Sequence, residues 1–364
     1  MIDLKTISNL PTTGFLFVGD PHIWSHKPGR RKDNYLESIC SKLKQIALIS
    51  NEKNLWPVIL GDLFHQAQDN NLYMLSEVTH IFNMFLRKPI VLVGNHDLTE
   101  NKLTPGTALE LFHSSGQILT VLDNAPFAFI ALVDEKDLSK TTERVILGGT
   151  PYGEDIPISL APWFKGTTHD AIKKKAKCDT IIWITHDDLS FDSNYPNAKQ
   201  LKPILGCDLA VNGHMHRTQK PLRVGNTSWH NPGNISRISV DLIRQDVAVW
   251  VWKPALEEET GANDLPVIPL VKICLDVPDG ASIISLEGRI ASEHQDTLDK
   301  KDSGRSRFVE QLRKDQQVVR TDEAHFLRES LDREFEEKST PEHVVRIVNN
   351  LFSQAVSQHQ SKEL

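Results

Sequence analysis

Aspartate, asparagine and histidine side chains recur in five short motifs of this chain. The motifs read Gly19-Asp20-Pro21-His22, Gly61-Asp62-Leu63-Phe64-His65, Gly94-Asn95-His96-Asp97, Thr185-His186-Asp187 and Gly213-His214-Met215-His216. Hard divalent cations take oxygen ligands, whereas Mn, Fe and Zn also accept imidazole. Because the motifs offer carboxylate, amide and imidazole groups without a thiolate, they indicate Mn, Fe or Zn more than Mg alone.

The spacing within the motifs suits a pair of divalent metal ions. Two ions about 3.5–4 Å apart need a ligand that bridges them, and a carboxylate with two oxygens can do so. Asp62 is the candidate for this role. Asp20 and His22, separated by one residue, can hold one ion, and His214 and His216 can serve one ion each. The motifs together predict a dinuclear metal centre.

Each motif taken alone also has a plain structural explanation. An Asp after a strand can cap the next helix, and Gly-Asn-His-Asp can be a polar turn. The two histidines of the last motif can be surface residues, and His186 can be a buried, hydrogen-bonded histidine. The combination of all five motifs in this order argues against these explanations.

A short apolar run precedes each motif. The runs cover residues 15–18, 58–60, 90–93, 181–184 and 209–211. Short, uninterrupted and β-branched-rich runs are typical of strands that are buried on both faces. Ligand sites in open α/β sheets lie beyond the carboxyl ends of the strands. We therefore expect the five strand ends to bring the motifs to one edge.

Helical patterns separate the first three of these strands. Residues 35–50 and 72–86 place apolar side chains on one face at helical spacing. They predict a β-α-β-α-β start with parallel strands. Further apolar runs at residues 118–122, 127–133, 144–147 and 247–252 predict a second sheet packed on the first. The expected fold class is α/β, with two sheets flanked by helices.

The composition changes after Lys253. Residues 254–261 read Pro-Ala-Leu-Glu-Glu-Glu-Thr-Gly, which is typical of a linker. Strand-like runs follow at 267–277 and 283–290, and a charged, helical pattern begins near residue 305. We predict a metal-binding domain over residues 1–254, a small β-containing cap module over 255–300 and a helical C-terminal region over 301–364.

Composition restricts the class of protein. The 364 residues carry a formal net charge of −7, which argues against a broadly basic nucleic-acid-coating protein but leaves room for a local basic patch. The four cysteines show no CxxC spacing and imply no disulfide framework. No stretch approaches the ~20 apolar residues of a membrane span, and the N-terminus lacks a signal-peptide pattern. A cytoplasmic location is therefore expected.

The order of the motifs resembles that of the calcineurin-like metallophosphoesterase superfamily across the predicted first domain. The resemblance implies one metal held by Asp20, His22, Asp62 and His216, and a second held by Asp62, Asn95, His186 and His214. It also implies that His96 meets the leaving group as an acid or stabilises the phosphorane oxygens, with Asp97 orienting it. A hydroxide shared by the two metals would attack phosphorus in line.

Within this superfamily, the chain is most similar to the SbcD-type DNA repair nucleases. Gly61-Asp62-Leu63-Phe64-His65 resembles the second motif of that subgroup, in which His65 would lie beside the substrate. The segment from Arg31 to Tyr35 also resembles the subgroup. Arg30, Arg31 and Lys32 form a basic loop that could hold the flanking phosphates of DNA.

The regions after the linker carry the rest of this resemblance. Their placement is similar to that of the subgroup's DNA-capping module and of its region for docking an SMC-like ATPase. The resemblance implies a DNA exo- or endonuclease with two divalent ions, for which Mn is favoured and Fe, Zn or Mg are open. DNA is favoured over RNA, and a homodimer is left open.

Two features depart from the subgroup and keep alternatives open. The fourth motif continues as Asp187-Asp188, which is acidic where neutral residues are expected near DNA. No long apolar helix for binding a partner is evident. The first alternative is a stand-alone phosphodiesterase or phosphatase acting on small nucleotides or RNA ends. The second is a catalytically inert scaffold, which is disfavoured because every ligand and His96 are present.

Overall fold

The structure is a computed structural model, and it describes residues 5–6, 10–191, 198–254, 256–285 and 345. The strands of these residues are β1 (Lys5–Thr6), β2 (Gly14–Val18), β3 (Leu55–Ile59), β4 (Ile90–Leu92), β5 (Leu119–Val121), β6 (Ala125–Val133), β7 (Thr141–Thr150), β8 (Thr180–His186), β9 (Leu209–Gly213), β10 (Leu222–Val224), β11 (Thr227–His230), β12 (Ala248–Trp252), β13 (Glu259–Thr260), β14 (Pro266–Val267) and β15 (Val271–Cys274). The helices are α1 (Tyr35–Glu52), α2 (Leu72–Phe82), α3 (Ala108–Ser114), α4 (Ala161–Phe164), α5 (His169–Ala176) and α6 (Gly280–Ile283), with 3₁₀ turns at Asn95–Asp97 and Val240–Leu242.

Two mixed sheets form the architecture of the described part of the chain. The first sheet has the strand order β15-β12-β2-β3-β4-β5, in which β2 to β5 are parallel and β12 is antiparallel to both of its neighbours. The second sheet has the order β1-β6-β7-β8-β9-β11-β10, and it is parallel from β7 to β11. This two-sheet α/β sandwich with flanking helices confirms the predicted fold class.

The alternation along β2 shows why the apolar runs are uninterrupted. Phe15 and Phe17 pack between the two sheets, in a cluster that includes Leu147 and Ile182 of the second sheet. Leu16 and Val18 face the opposite side, where they join the cluster around α1 and α2. Every residue of β2 is buried. Both faces of the strand therefore require apolar side chains, as the sequence pattern indicates.

The strands divide between the two sheets differently from the expectation. β5 pairs with β4 and β12 pairs with β2, so both lie in the first sheet instead of the second. β8 and β9 lie in the second sheet. The five motifs therefore come from the ends of β2, β3 and β4 in one sheet and of β8 and β9 in the other. A run that is buried on both faces carries no information about which strand lies beside it, so the sequence could not separate the two sheets.

The helices largely match their predicted positions. Asn34 caps α1, with its side chain accepting a hydrogen bond from the backbone N–H of Glu37 at 3.4 Å. Helix α2 ends at Phe82, although the apolar pattern predicts a helix up to residue 86. The backbone there changes to a tighter turn, in which the N–H of Phe85 donates to the carbonyl of Phe82 at 3.3 Å. Phe85 still packs into the core from this turn. The apolar pattern in the sequence therefore continues past the end of the helix.

The chain divides into two compact units, Met1–Ser292 and Glu293–Leu364. The predicted helical region over 301–364 and most of the strand-like run at 283–290 lie outside the described residues. The part of the run at 267–277 that forms β15 pairs with β12 at the edge of the first sheet. The boundaries of the three predicted parts stay a prediction. Among the described residues, no helix is long and apolar enough to cross a membrane.

Buried cations hold the segment that follows β11 against α1. The guanidinium of Arg31 donates to the carbonyls of Ser236 and Arg237, at 2.9 and 3.1 Å. The ammonium of Lys42 donates to the carbonyl of Ile235 at 2.8 Å. Burial lowers the pKa of Lys42 from 10.5 to about 7, and the nearby Arg31 contributes to this shift. These contacts fix the backbone of residues 235–237 against α1 and the loop before it.

The lowered pKa of Lys42 predicts a pH-dependent stability. Between pH 7 and pH 10.5 the unfolded chain binds more protons at this lysine than the folded chain, so the wild type gains stability as the pH rises. Relative to Lys42→Met, the free energy of unfolding of the wild type should rise by about 2–4 kcal/mol across this window. Urea denaturation of both proteins at several pH values measures the difference. A difference that does not change with pH would contradict the lowered pKa.

Candidate metal centre

The carboxyl ends of five strands meet at one edge of the sandwich. Asp20 and His22 follow β2, and Asp62 follows β3. The 3₁₀ turn after β4 carries the third motif, β8 ends at His186, and the last motif begins at the end of β9. Contacts among these side chains bring together all seven predicted ligands: Asp20, His22, Asp62, Asn95, His186, His214 and His216.

Asp62 lies at the centre of this group. One of its carboxylate oxygens, Oδ2, lies 3.7 Å from Nε2 of His22 and 3.3 Å from Nε2 of His186. Its other oxygen, Oδ1, accepts a hydrogen bond from the backbone N–H of His96 at 2.8 Å. Asp62 is 1% exposed. Its position between histidines of two different motifs is the position that a bridging carboxylate requires.

Six of the ligand residues fall into two groups. Those of Asp20, His22 and His216 lie within 4.8 Å of one another, and so do those of Asp62, His186 and His214. Nε2 of His22 and Nε2 of His216 are 2.9 Å apart. The amide oxygen of Asn95 lies 3.2 Å from Nε2 of His186. Asp62 belongs to the second group and also lies 3.7 Å from Nε2 of His22 in the first. The assignment of these ligands to two separate ions stays a prediction.

The chemistry of these side chains fits divalent cations. Oδ2 of Asp20 is buried and has no hydrogen-bond partner among the described residues. A buried carboxylate oxygen without a donor is costly unless a cation compensates its charge. Burial lowers the pKa of His22 well below its usual range, and burial also lowers the pKa of His216. Both rings are therefore neutral at neutral pH, which is the form that binds metals.

The second group has the opposite protonation behaviour. Burial alone would raise the pKa of Asp62, but His186 and His22 hold it well below its usual range. Burial alone would lower the pKa of His186, but the Asp62 carboxylate raises it to about 10. A cation bound between the two side chains would take the place of the imidazole proton. The carbonyl of Leu60 lies 2.7 Å from Nδ1 of His186, which leaves Nε2 to face the centre.

Close packing around the centre requires two glycines. A Cβ at Gly61 would overlap the ring of His186, and a Cβ at Gly94 would overlap the carboxylate of Asp62. Asp62 itself has a φ of +47°, in the left-handed region that non-glycine residues rarely adopt. The Gly-Asp and Gly-Asn pairs of the sequence are therefore explained by the approach of ligand side chains to the backbone.

His96 and Asp97 occupy different environments. Nδ1 of His96 lies 2.7 Å from the carbonyl of His65, so the ring donates there and leaves Nε2 for another partner. Asp97 was expected to orient His96, but its buried carboxylate accepts hydrogen bonds from the backbone N–H groups of Phe64 and Gly94, at 3.1 and 3.0 Å. Asp97 therefore joins the backbones of the second and third motifs, and the carbonyl of His65 orients His96.

His65 lies beside the first ligand group. Its ring stacks on His96 with 5.1 Å between the ring centroids, and it meets the ring of His22 edge-on at 5.3 Å. Burial lowers the pKa of His65 to about 4. The ligand atoms of these three histidines also lie within 4.8 Å of one another. His65 is thus a neutral imidazole next to the centre, and its predicted role at the substrate stays a prediction.

In the basic loop, Arg31 does not have the position that a phosphate-binding residue needs. Arg31 is fully buried, and its Nη2 and Nε donate to the carboxylate of Asp33 at 2.6 and 2.8 Å. Its Nη1 donates to backbone carbonyls. Arg31 therefore stabilises the fold and is not available to hold phosphate. Arg30 is half-buried and Lys32 is exposed, so the predicted substrate contact rests on these two residues.

Three residues near the centre were missed from the sequence. The ring of Trp24 packs on His65 at 4.4 Å, and the ring of Tyr152 lies 5.6 Å from His214. Oδ1 of Asp188 lies 3.3 Å from Nε2 of His214. Trp24 could have been found from its place two residues after His22. Tyr152 follows β7, which pairs with β8. The sequence does not show this pairing, so it does not place Tyr152 near the centre.

Comparison with known families agrees with this geometry. Residues 14–218, more than half of the chain, match the model of the calcineurin-like phosphoesterases. The chain therefore belongs to the calcineurin-like phosphoesterase family. It is a metal-dependent phosphoesterase, a hydrolase of a family that uses pairs of divalent metal ions. No curated protein matches the chain.

Solved structures show more distant similarities. An archaeal phosphodiesterase is 13% identical, with a TM-score of 0.31, over 72% of this chain and 99% of the other. A 5′-nucleotidase precursor from Thermus thermophilus is 13% identical, with a TM-score of 0.39, over 72% of this chain and 54% of the other. The NAD nucleotidase of Haemophilus influenzae is 13% identical, with a TM-score of 0.40, over 80% of this chain and 56% of the other. Similarities this distant carry no conclusion about the substrate.

Proposed function

We propose that this protein is a Mn²⁺-dependent phosphodiesterase that cleaves DNA. The observation that carries the proposal is the placement of His65, which stacks on His96 at the edge of the first ligand group. His65 belongs to the Gly-Asp-Leu-Phe-His motif that resembles the DNA repair nucleases. A second imidazole beside His96 can contact the substrate next to the scissile bond. His65 is neutral at physiological pH, so it would act as a hydrogen-bonding group.

The residues around the centre have separable tasks in this proposal. Asp20, His22, Asp62 and His216 would hold one ion, and Asp62, Asn95, His186 and His214 the other. When bound, the ions activate the attacking water and neutralise charge on the phosphate. Nδ1 of His96 faces the carbonyl of His65 at 2.7 Å, so Nε2 is the nitrogen left for the substrate. As a doubly protonated imidazolium, the ring would give its Nε2 proton to the leaving oxygen and keep the Nδ1 hydrogen bond. The Trp24 ring packs on His65 and supports the position of its imidazole.

The basic loop supports a polymeric substrate. The backbone of the loop is anchored, because the N–H of Lys32 donates to the carbonyl of Ile283 at 2.8 Å and the N–H of Ser285 donates to the carbonyl of Arg30 at 2.7 Å. The exposed Lys32 and half-buried Arg30 are therefore presented from a fixed backbone. A phosphodiester chain extends beyond the scissile phosphate, and such cations can hold its neighbouring phosphates.

This contact predicts a selective loss of activity on DNA. The double variant Arg30→Ala, Lys32→Ala should lower kcat/KM on linear DNA by on the order of tenfold at moderate salt, because two phosphate contacts are lost. The log–log salt dependence should become less steep by roughly 0.7–0.9 per lost contact. Hydrolysis of a small chromogenic diester should change little, because it has no flanking phosphate.

A matched variant separates local contact from global charge. Lys174 and Lys175 are exposed on α5, which packs through Ile172 into the outer cluster of the second sheet. Lys174→Ala, Lys175→Ala removes the same net charge and should leave DNA cleavage unchanged. If the loop variant lost activity on both substrates equally, the loop would have no role in binding flanking phosphates.

The second candidate is a phosphodiesterase for small nucleotides or RNA ends. Two observations favour it: the burial of Arg31, which removes one cation from the loop, and the carboxylate of Asp188 beside His214, which would repel a polyanion. An assay with Mn²⁺ on linear DNA, hairpin DNA, RNA, cyclic nucleotides and a chromogenic diester distinguishes the two candidates. Efficient hydrolysis of small diesters without DNA cleavage would overturn the nuclease proposal. The SMC-like ATPase partner and the homodimer stay predictions.

A further inference from the structure

The imidazole of His214 is held from several directions. Its backbone N–H donates to Oδ1 of Asp20 at 3.3 Å, and its φ of +67° places it in the left-handed region. Its Nε2 lies 3.3 Å from Oδ1 of Asp188. The ring of Tyr152 packs against it, with 5.6 Å between the ring centroids. The backbone of His214 is thus fixed by Asp20, and its ring has Asp188 and Tyr152 as neighbours.

The contact with Asp188 selects which nitrogen of His214 can face a metal. A histidine that binds a metal does so through a neutral nitrogen, and its other N–H usually donates to a carboxylate or a carbonyl. Because Nε2 points at Asp188, Nδ1 is the nitrogen left for the group with Asp62 and His186. The Asp188 carboxylate therefore contacts the Nε2 edge of the ring, and this contact can set the angle at which His214 meets the group.

The backbone of Asp188 is fixed although its side chain is 47% exposed. Its N–H donates to Oδ1 of Asp187 at 2.9 Å, and its carbonyl accepts from the N–H of Lys199 at 2.9 Å. The N–H of Asp187 in turn donates to Oδ1 of Asn212 on β9 at 3.2 Å. The segment after β8 is thereby tied to the strand that carries His214.

We propose that Asp188 is a positioning residue that orients His214 for the second metal ion. The acidic pair Asp187-Asp188, which departs from the DNA repair nucleases, thus has a role inside the centre. Asp187 holds the backbone of Asp188, and the Asp188 carboxylate sets the angle of the His214 ring. The inference rests on the dinuclear centre of the proposed function, but it does not depend on the identity of the substrate.

Metal titration of three proteins tests the inference. Calorimetric titration with Mn²⁺ should show two ions in the wild type. Asp188→Ala removes the acceptor and should weaken the second ion by roughly 10–100-fold while leaving the first unchanged. Asp188→Asn keeps a neutral acceptor, so its affinity for the second ion should lie between those of the wild type and Asp188→Ala. At two equivalents of Mn²⁺, the electron paramagnetic resonance signal of a coupled pair should decrease in the same order.

A matched substitution controls for the loss of an exposed carboxylate. Asp179 precedes the opposite end of β8, is 44% exposed and pairs with Arg144 at 3.0 Å. Asp179→Ala should bind both ions as the wild type does. Two ions bound with wild-type affinity in Asp188→Ala, or equal weakening of both ions, would overturn the role of Asp188. A wild type that binds fewer than two ions would instead overturn the proposed dinuclear centre itself.

Discussion

Asp62→Asn is expected to abolish the binding of both metal ions and to lower turnover by roughly 10⁴-fold or more, since each ion supplies several kcal/mol of charge stabilisation. The carboxylate lies between His22 and His186, and it is almost fully buried. An amide of the same shape removes the negative charge and replaces one oxygen by an NH₂ group that cannot bind a cation. Metal content after dialysis and kcat on a chromogenic diester measure the two effects.

A half-buried, paired carboxylate elsewhere provides the control for this variant. Asp208 is paired with His169 and Lys173, both at 2.9 Å, at the opposite end of the second sheet. Asp208→Asn should lower stability but leave the metal content unchanged. If Asp62→Asn retained two ions, or lost only one, Asp62 would not be the bridging ligand.

His96→Ala should separate metal binding from catalysis. The backbone N–H of His96 bonds to Asp62, and its ring lies against His65 and His22. Loss of the ring should therefore keep both ions and lower kcat by roughly 10²–10⁴-fold, the range typical of a general acid. The loss should be smaller on substrates with a good leaving group, because such a group needs less help from a proton.

Metal analysis decides the role of His96. Its ring belongs to a set of three histidines whose ligand atoms lie within 4.8 Å of one another, so a role as a metal ligand is the competing interpretation. A loss of one ion in His96→Ala would support that interpretation. His113→Ala, which removes a half-buried histidine that contacts Thr120 at 3.1 Å, should change neither metal content nor kcat.

The sequence predicts the residues of the metal centre better than it predicts the residues that hold the surrounding backbone in place. Asp20, Asp62 and His186 each stand at or just after the end of an apolar run, so the chemistry of the residue and the end of the strand coincide in the printed sequence. Asp97 and Arg31 look equally functional there. The structure turns the Asp97 carboxylate towards the backbone N–H of Phe64 and the Arg31 guanidinium towards the carbonyl of Ser236. Both partners lie in distant segments, and such tertiary partners leave no local pattern.

The assignment of strands to sheets was limited in the same way. β8 and β9 read like β2 and β3, because all four are short and buried on both faces. Pairing depends on which apolar surfaces fit together, and that information is spread over the whole core. Asp188 stands out in the sequence as an unexpected acidic residue. Only its distance to His214 in the structure indicates that it orients this ligand.

The hydrogen bond between the carbonyl of Leu60 and the ring of His186 crosses the seam between the two sheets. Leu60 follows β3 of the first sheet, whereas His186 ends β8 of the second. Relative sliding of the two sheets would turn the imidazole and change the gap between the two halves of the centre. The apolar layer around Phe17 and Ile182 fixes the distance between the two sheets. Residues of this layer that lie far from any ligand therefore help to set the distances between the metal ligands.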